Sequence, residues 1–388
     1  MVEIRLGTGQ ERRQTEAFAD GAFAVRSPKA LNPSEEALLN ALPRGKTGAA
    51  LAVNSVEGLA GMALRALSPD LAVHCHFDDA WDLAAAQAAA TQNRRLTPAL
   101  AVAPDPPEGP WDIIALPFSA AGVKDLLLER LAFAVEHLKP GGLLFASTDN
   151  RRDRFLREEV VKLFGAATTL PGPSRRSGVA YIARRPKSPR LRERPRERAF
   201  TVKEGDRVLP LVSRPGVFSH GRLDEGTRAL LASADMGVAK RVLDLGCGAG
   251  ILGIVAALRS PDARVTLVDS YARAIQCAQR NVESLGLAGR CEAVLTADPL
   301  RGLEAGYDLV LTNPPYYGNY RISEMFLAAA AKVLVPGGRM ALVTKGIEWH
   351  KAAMAKLFGS VAAKESGGYW VLTAVAGGKH QGSCSPDR

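Results

Sequence analysis

The second half of the chain alternates short apolar runs with stretches of helical period. Arg241–Gly246 (RVLDLG), Arg264–Asp269 (RVTLVD) and Tyr307–Thr312 (YDLVLT) are nearly continuous in apolar residues, as strands covered on both faces must be. Between and after them, Ala272–Leu285 and Ile322–Leu334 space their apolar residues as helices with one buried face do. This alternation predicts an α/β fold built on a doubly wound, mostly parallel sheet.

The first half reads as a worn copy of the second. The segment 50–67 (ALAVNSVEGLAGMALRAL) resembles 241–258 (RVLDLGCGAGILGIVAAL), with Asn54 set 190 residues before Asp244 and Asp79 set 190 before Asp269. Further on, 111–119 (WDIIALPFS) parallels 307–316 (YDLVLTNPPY), and KPGG at 139–142 parallels VPGG at 335–338, both at an offset of 196. A drift of six residues between these anchors predicts one fold used twice, with a single surface insertion or deletion.

A break in composition separates the copies. Arg184–Arg198 (RRPKSPRLRERPRER) holds seven Arg and one Lys against two Glu, with three prolines and almost nothing to bury. It predicts an exposed linker. The expected organisation is a first domain over 1–183, a basic linker over 184–200, a second domain over 201–378 and a disordered tail over 379–388.

At 388 residues, 47% hydrophobic and 23% charged, the chain has the composition of two ordinary globular domains. No apolar run approaches the ~20 residues that a bilayer span requires, and MVEIRLGTGQERRQ lacks the apolar stretch of a secretory signal. Five cysteines without CxxC spacing read as free thiols, which points to a reducing compartment and the cytoplasm. Six scattered histidines offer no metal-ligand cluster. The net charge of +10 suits a polyanionic partner such as RNA.

Two motifs carry chemistry. Asp244-Leu-Gly-Cys-Gly-Ala-Gly250 follows a predicted strand and opens a predicted helix. Gly246, Gly248 and Gly250 permit a tight turn with no Cβ where a ligand approaches. Asp269, 19 residues after Gly250, ends the next strand, where a carboxylate can accept both ribose hydroxyls of an adenosine group. Asp298 ends a third short run and is placed to accept from an adenine amine, while Asp244 and the turn would face a methionine portion.

The second motif is Thr312-Asn313-Pro314-Pro315-Tyr316, at the end of YDLVL. Adjacent prolines cannot continue a strand, so they project a rigid loop. The Asn313 side-chain oxygen and the Pro314 carbonyl then form two acceptors for a planar exocyclic amine, and Tyr316 offers a face for stacking. Holding both hydrogens favours lone-pair character on nitrogen as it attacks a sulfonium methyl. Adenine N6, cytosine N4, guanine N2 and a glutamine amide all meet this description.

The segment Pro215-Gly-Val-Phe-Ser-His-Gly-Arg-Leu-Asp-Glu-Gly226, with DLGCGAG and TNPPYYGN, resembles the bacterial ribosomal RNA guanine-N2 methyltransferases that carry two tandem methyltransferase-like domains. The resemblance covers nearly the whole chain. It implies two tandem Rossmann-like class I methyltransferase domains, the N-terminal one degenerate, S-adenosyl-L-methionine as cofactor, and a guanosine of 16S rRNA as substrate. A sister group acts on 23S rRNA. It also implies that Phe218 and Asp224 help to cover the cofactor, and that the first domain supports RNA binding without catalysing. In that first copy Pro117-Phe118-Ser119 stands where Asn313-Pro314-Pro315 stands in the second. Closest members usually have NPPF, so NPPY here keeps release-factor glutamine methylation in view, and a non-catalytic RNA-binding assembly factor is the alternative of another class.

Overall fold

The computed structural model describes residues 1–7, 14–189, 197–315 and 320–377. The central part of the basic linker, the whole of the expected tail and Tyr316 lie outside the described residues. The chain forms two compact units, Met1–Arg196 and Glu197–Arg388. Between them, one strand ends at Arg184 and the next begins at Arg198, inside the segment expected to be linker throughout.

Unit one opens with a three-stranded sheet of β1 (Val2–Arg5), β2 (Gln14–Phe18) and β3 (Phe23–Ser27). Its main sheet contains β4 (Gly48–Val53), β5 (Leu71–Phe77), β6 (Ala99–Val102), β7 (Trp111–Phe118), β8 (Leu138–Thr148), β9 (Thr168–Pro171) and β10 (Val179–Arg184). The strand order is β6-β5-β4-β7-β8-β10-β9, with β10 antiparallel to both its neighbours. Helices α1 (Pro33–Ala41), α2 (Leu59–Leu67), α3 (Ala80–Gln92), α4 (Lys124–His137) and α5 (Phe155–Phe164) accompany it.

Unit two begins with a hairpin of β11 (Arg198–Glu204) and β12 (Arg207–Ser213), then repeats the plan. Its strands are β13 (Arg241–Leu245), β14 (Arg264–Asp269), β15 (Cys291–Leu295), β16 (Tyr307–Thr312), β17 (Leu334–Thr344), β18 (Val361–Ser366) and β19 (Tyr369–Val375). The order is β15-β14-β13-β16-β17-β19-β18, which reverses direction between β14 and β16 and opens a crevice at the carboxyl ends of the parallel strands. The helices are α6 (Glu225–Ser233), α7 (Ile251–Arg259), α8 (Ala272–Ser284), α9 (Pro299–Gly302), α10 (Arg321–Val333) and α11 (Ile347–Phe358). Successive residues of β13 serve opposite faces. Val242 packs with α7 and α8, and Leu243 and Leu245 with α10 and α11. Both units are thus Rossmann-like α/β sheets.

The two copies align at a different offset from the one that the aspartates suggest. Pro33 and Glu225, Leu59 and Ile251, and Ala80 and Ala272 open equivalent helices, and each pair differs by 192. Trp111 and Tyr307, and Leu138 and Leu334, differ by 196. The drift is four residues, and the offset of 190 is wrong by two. A slide of two keeps every strand residue on its own face, so apolar alternation cannot detect it. Asp79 is the N-cap of α3, accepting from Trp81 N at 2.8 Å, rather than a strand-end carboxylate. In the correct register Ala52 stands for Asp244, Asn54 for Gly246 and Phe77 for Asp269.

The turn in unit one is therefore closed from within. Phe77 is fully buried beneath it. Glu35, reaching in from α1, accepts from Val56 N at 2.7 Å and from the Ser55 hydroxyl at 3.2 Å. Alongside, Asp78 bonds both ends of the Asn54 amide, at 2.7 and 2.9 Å, and pairs with His76 and Arg130.

Burial pushes the Glu35 carboxyl up to about 7, with the two hydrogen bonds acting against the rise. For an acid whose pKa is raised on folding, stability is unaffected below about pH 4.5, falls as the unfolded chain ionises, and has lost its full amount above about pH 7. Glu35→Gln keeps the shape and the bond from Val56 N, with the amide nitrogen donating to the Ser55 hydroxyl instead of accepting from it. It is expected to raise unfolding stability by about 2–3 kcal/mol at pH 8 and little at pH 4.5. Denaturant titrations at the two pH values check this; an equal effect at both would refute it.

Candidate active site

The glycine turn of unit two is built as its sequence demands. Gly246, Gly248 and Gly250 hold φ of +70°, +54° and +85°, which residues with a Cβ seldom adopt. A Cβ on Gly246 would meet the Phe326 ring at 3.0 Å and one on Gly250 would meet Leu267 at 3.0 Å, while one on Gly248 would enter open space. The middle glycine is therefore the one whose backbone stands bare beside open space. The N–H groups of Gly246 and Cys247 converge on the Val268 carbonyl at 2.8 and 3.0 Å, locking the turn to β14.

Asp269 closes the turn from the other side. Its Oδ2 accepts from Gly248 N and its Oδ1 from Tyr271 N, each at 2.9 Å, which sets the carboxylate at the mouth of the crevice. Asp244 lies fully buried beneath, with Oδ2 accepting from Gly253 N at 2.8 Å. Its Oδ1 is buried and has no hydrogen-bond partner among the described residues. Burial first, and the nearby Asp269 charge, push the Asp244 carboxyl up to about 7, against the pull of the Gly253 N–H. Open space over Gly248, an anchored carboxylate and an orphaned buried oxygen fit a cationic adenosine cofactor.

Asp298 caps α9, accepting from Leu300 N at 2.9 Å, and lies 3.4 Å from the Arg301 guanidinium. It follows β15, on the far side of β14 from the turn.

The Asn313 loop is fixed to the same edge. Leu245 pairs with Thr312 across β13 and β16, and the fully buried Thr312 hydroxyl donates to the Leu245 carbonyl at 2.8 Å. Asn313 therefore leaves the sheet directly beside Gly246. Its amide nitrogen donates to Asp224 Oδ2 at 2.9 Å and to Thr227 Oγ at 3.0 Å. With the N–H end so engaged, the amide turns its oxygen to the role of acceptor. Pro314 is buried and Pro315 half-buried behind it.

Asp224 is thus a neighbour of Asn313 as well as the N-cap of α6, where it accepts from Thr227 N at 3.0 Å. Upstream, Val217 packs on Ala249 of the turn and on Ala274 and Cys277 of α8. The fully buried Arg273 donates to the Pro215 carbonyl at 3.1 Å. Phe218, next in sequence, is 62% exposed. Thr227 and Arg273 escaped the sequence reading because each acts through a partner distant along the chain.

Asp224→Ala is expected to lower kcat roughly tenfold, through loss of one bond that aims the Asn313 amide, and to cost about 1 kcal/mol of stability through loss of the cap. S-adenosylmethionine affinity should stay within about twofold, since general positioning effects fall on the reacting groups. Steady-state kinetics with calorimetric titration separate these effects; a change confined to cofactor affinity would contradict the geometry.

Among the described residues, no group of three His, Cys, Asp or Glu could hold a metal ion, and no helix is long and apolar enough to cross a membrane. Cys75, Cys247, Cys277 and Cys291 are buried free thiols.

A family model for the methyltransferase small domain matches residues 208–373. Three curated relatives are each called ribosomal RNA small subunit methyltransferase C. The protein of Pseudomonas fluorescens Pf-5 is 36% identical over 201 residues, which is 50% of this chain and 59% of the relative. That of Pseudomonas aeruginosa UCBPP-PA14 is 33% identical over 244 residues, 61% of this chain and 70% of the relative. That of Pseudomonas paraeruginosa PA7 is 31% identical over 276 residues, 69% of this chain and 80% of the relative. Among solved structures, a T. thermophilus 16S rRNA N2 methyltransferase in complex with AdoMet and guanosine superposes with a TM-score of 0.72 at 22% identity. That superposition covers 94% of this chain and 98% of the other, so the shared fold extends over both units.

Proposed function

Since the chain belongs to the ribosomal RNA small subunit methyltransferase C family, we propose that it transfers a methyl group from S-adenosyl-L-methionine to the exocyclic N2 amine of a guanosine in 16S rRNA. One observation of the site supports this most directly: the Asn313 amide is oriented by Asp224 and Thr227 at the edge of the glycine turn. When bound, the cofactor supplies a sulfonium methyl group with a neutral thioether as leaving group.

Asp269 would accept the ribose hydroxyls, Gly248 would let the cofactor lie against bare backbone, and the buried Asp244 Oδ1, unpartnered among the described residues, would face its cationic end. Asn313 Oδ1 and the Pro314 carbonyl accept the two N–H groups of the guanine amine, turning its lone pair toward the methyl carbon. The proton becomes acidic only once the new N–C bond has formed, so these residues orient the amine and need not act as strong bases before transfer. Positioning and exclusion of water supply most of the acceleration. A guanine stacked in a helix must first be turned out to enter such a site.

Unit one is read as a non-catalytic support for the RNA, since Phe77 and Glu35 occupy the places a cofactor would need. An rRNA substrate makes this a cytoplasmic enzyme.

The test supplies purified protein with methyl-labelled cofactor and separated ribosomal subunits from cells lacking the enzyme, with nucleosides identified by mass spectrometry. Label in N2-methylguanosine of the small subunit is expected, lost in Asn313→Ala. Label in the large subunit would move the substrate to 23S rRNA. No label in either subunit or its free RNA would redirect the search to the glutamine of release factors.

A further inference from the structure

Past the loop that carries Asn313, the chain enters α10 through Tyr320, whose backbone takes the left-handed φ of +64°. That conformation is uncommon for a bulky side chain and persists only where its surroundings hold it. What holds it here is an aromatic cluster. The Tyr320 ring lies flat on the Trp349 indole, with centroids 4.3 Å apart and planes 10° from parallel. His350 stands edge-on to both rings, at 5.4 and 4.9 Å.

The imidazole is itself clamped. Its Nδ1 lies 2.9 Å from the Gly346 carbonyl and its Nε2 lies 3.1 Å from Ser323 Oγ, tying the start of α11 to α10. Burial keeps its pKa below the ordinary histidine range, so it acts as an uncharged wedge near neutral pH. Tyr320 and Trp349 therefore form a rigid pair at the carboxyl edge of β16 and β17, the edge that also carries Asn313. A stack made only for stability would bury its outer ring, yet Tyr320 is 40% exposed. Close to the pair in sequence, Arg321, Lys345 and Lys351 are exposed, as are Glu324 and Glu348.

We propose that the Tyr320–Trp349 stack is a platform for a nucleobase flanking the methylated guanosine. This rests on the RNA-guanosine reading above and assigns a further part of the same substrate. The target amine belongs at Asn313, seven residues earlier, so the platform receives a neighbour that has also left the helical stack. An ordered aromatic face holds any base by its π surface, and a pre-stacked pair loses little freedom on binding. The platform thus fixes the path of the strand without reading its sequence.

The experiment compares wild type, Tyr320→Ala and Tyr320→Phe on a single-stranded 16S rRNA fragment, and on the same fragment made abasic on one side or the other of the target. Cofactor titration and thermal midpoint confirm that the variants fold. Tyr320→Ala is expected to raise KM for the intact fragment roughly tenfold or more, with kcat changed less and Tyr320→Phe close to wild type. One of the abasic fragments should lower wild-type affinity similarly and abolish the difference between wild type and Tyr320→Ala. An unchanged KM, or a loss that persists on both abasic fragments, overturns the platform alone. Failure of the wild type to methylate the fragment and either ribosomal subunit removes the RNA reading, and the platform with it.

Discussion

Asn313→Ala is expected to reduce kcat about 100- to 1,000-fold while leaving cofactor affinity nearly unchanged, the scale seen when one well-placed polar group is removed from a reacting centre. The substitution deletes one of two acceptors for the guanine amine and frees Asp224 and Thr227, which now hold the amide nitrogen at 2.9 and 3.0 Å. The fold should survive, because β16 is pinned independently by the Thr312 hydroxyl on the Leu245 carbonyl. Single-turnover methyl transfer under saturating RNA isolates the chemical step from binding. Wild-type single-turnover rates in the variant would remove Asn313 from the reaction. Asn313→Asp gives a second reading: it keeps an acceptor but repels Asp224, so its rate should fall between the two.

Asp269→Ala is expected to weaken S-adenosylmethionine binding on the order of 100- to 10,000-fold, from two charge-assisted hydrogen bonds lost to the ribose. The turn would suffer as well, since Gly248 N and Tyr271 N both donate to this carboxylate. Asp269→Asn separates the two effects. Its oxygen can keep one backbone donor while the charge is gone, so affinity should recover in part and the thermal midpoint largely. Calorimetric titration reads the affinity directly. If alanine at 269 binds the cofactor normally, the ribose must be held elsewhere and the glycine turn serves another purpose.

Much of unit two was legible because its strands are buried on both faces. Arg264–Asp269 and Tyr307–Thr312 begin and end where their apolar runs do, and the helices expected over 272–285 and 322–334 lie within a residue of those bounds. The tandem arrangement was legible too, from the echo of one half in the other. The register of that echo was not, for a two-residue slide preserves the side of the sheet on which each residue falls. Contacts between residues far apart in sequence were equally hidden. Nothing local links Asp224 to Asn313, 89 positions away, or Glu35 to Val56. Asp224 was expected to help cover the cofactor, and no local signal announced that it also holds the Asn313 amide.

Glu35 and Phe77 together make the turn of the first unit resist a second carboxylate. Restoring an aspartate at 77 would place a second carboxylate near one that is already buried and seeking its proton at about pH 7. Two such groups would compete for the single Val56 N–H, and removing the Phe77 ring would open a hole beneath α2. Such a substitution, taken alone, is expected to lower the stability of unit one. Helix α1 thus supplies through Glu35 the acceptor that Asp269 supplies in unit two, and a strand-end carboxylate at 77 is disfavoured for as long as Glu35 stays in place.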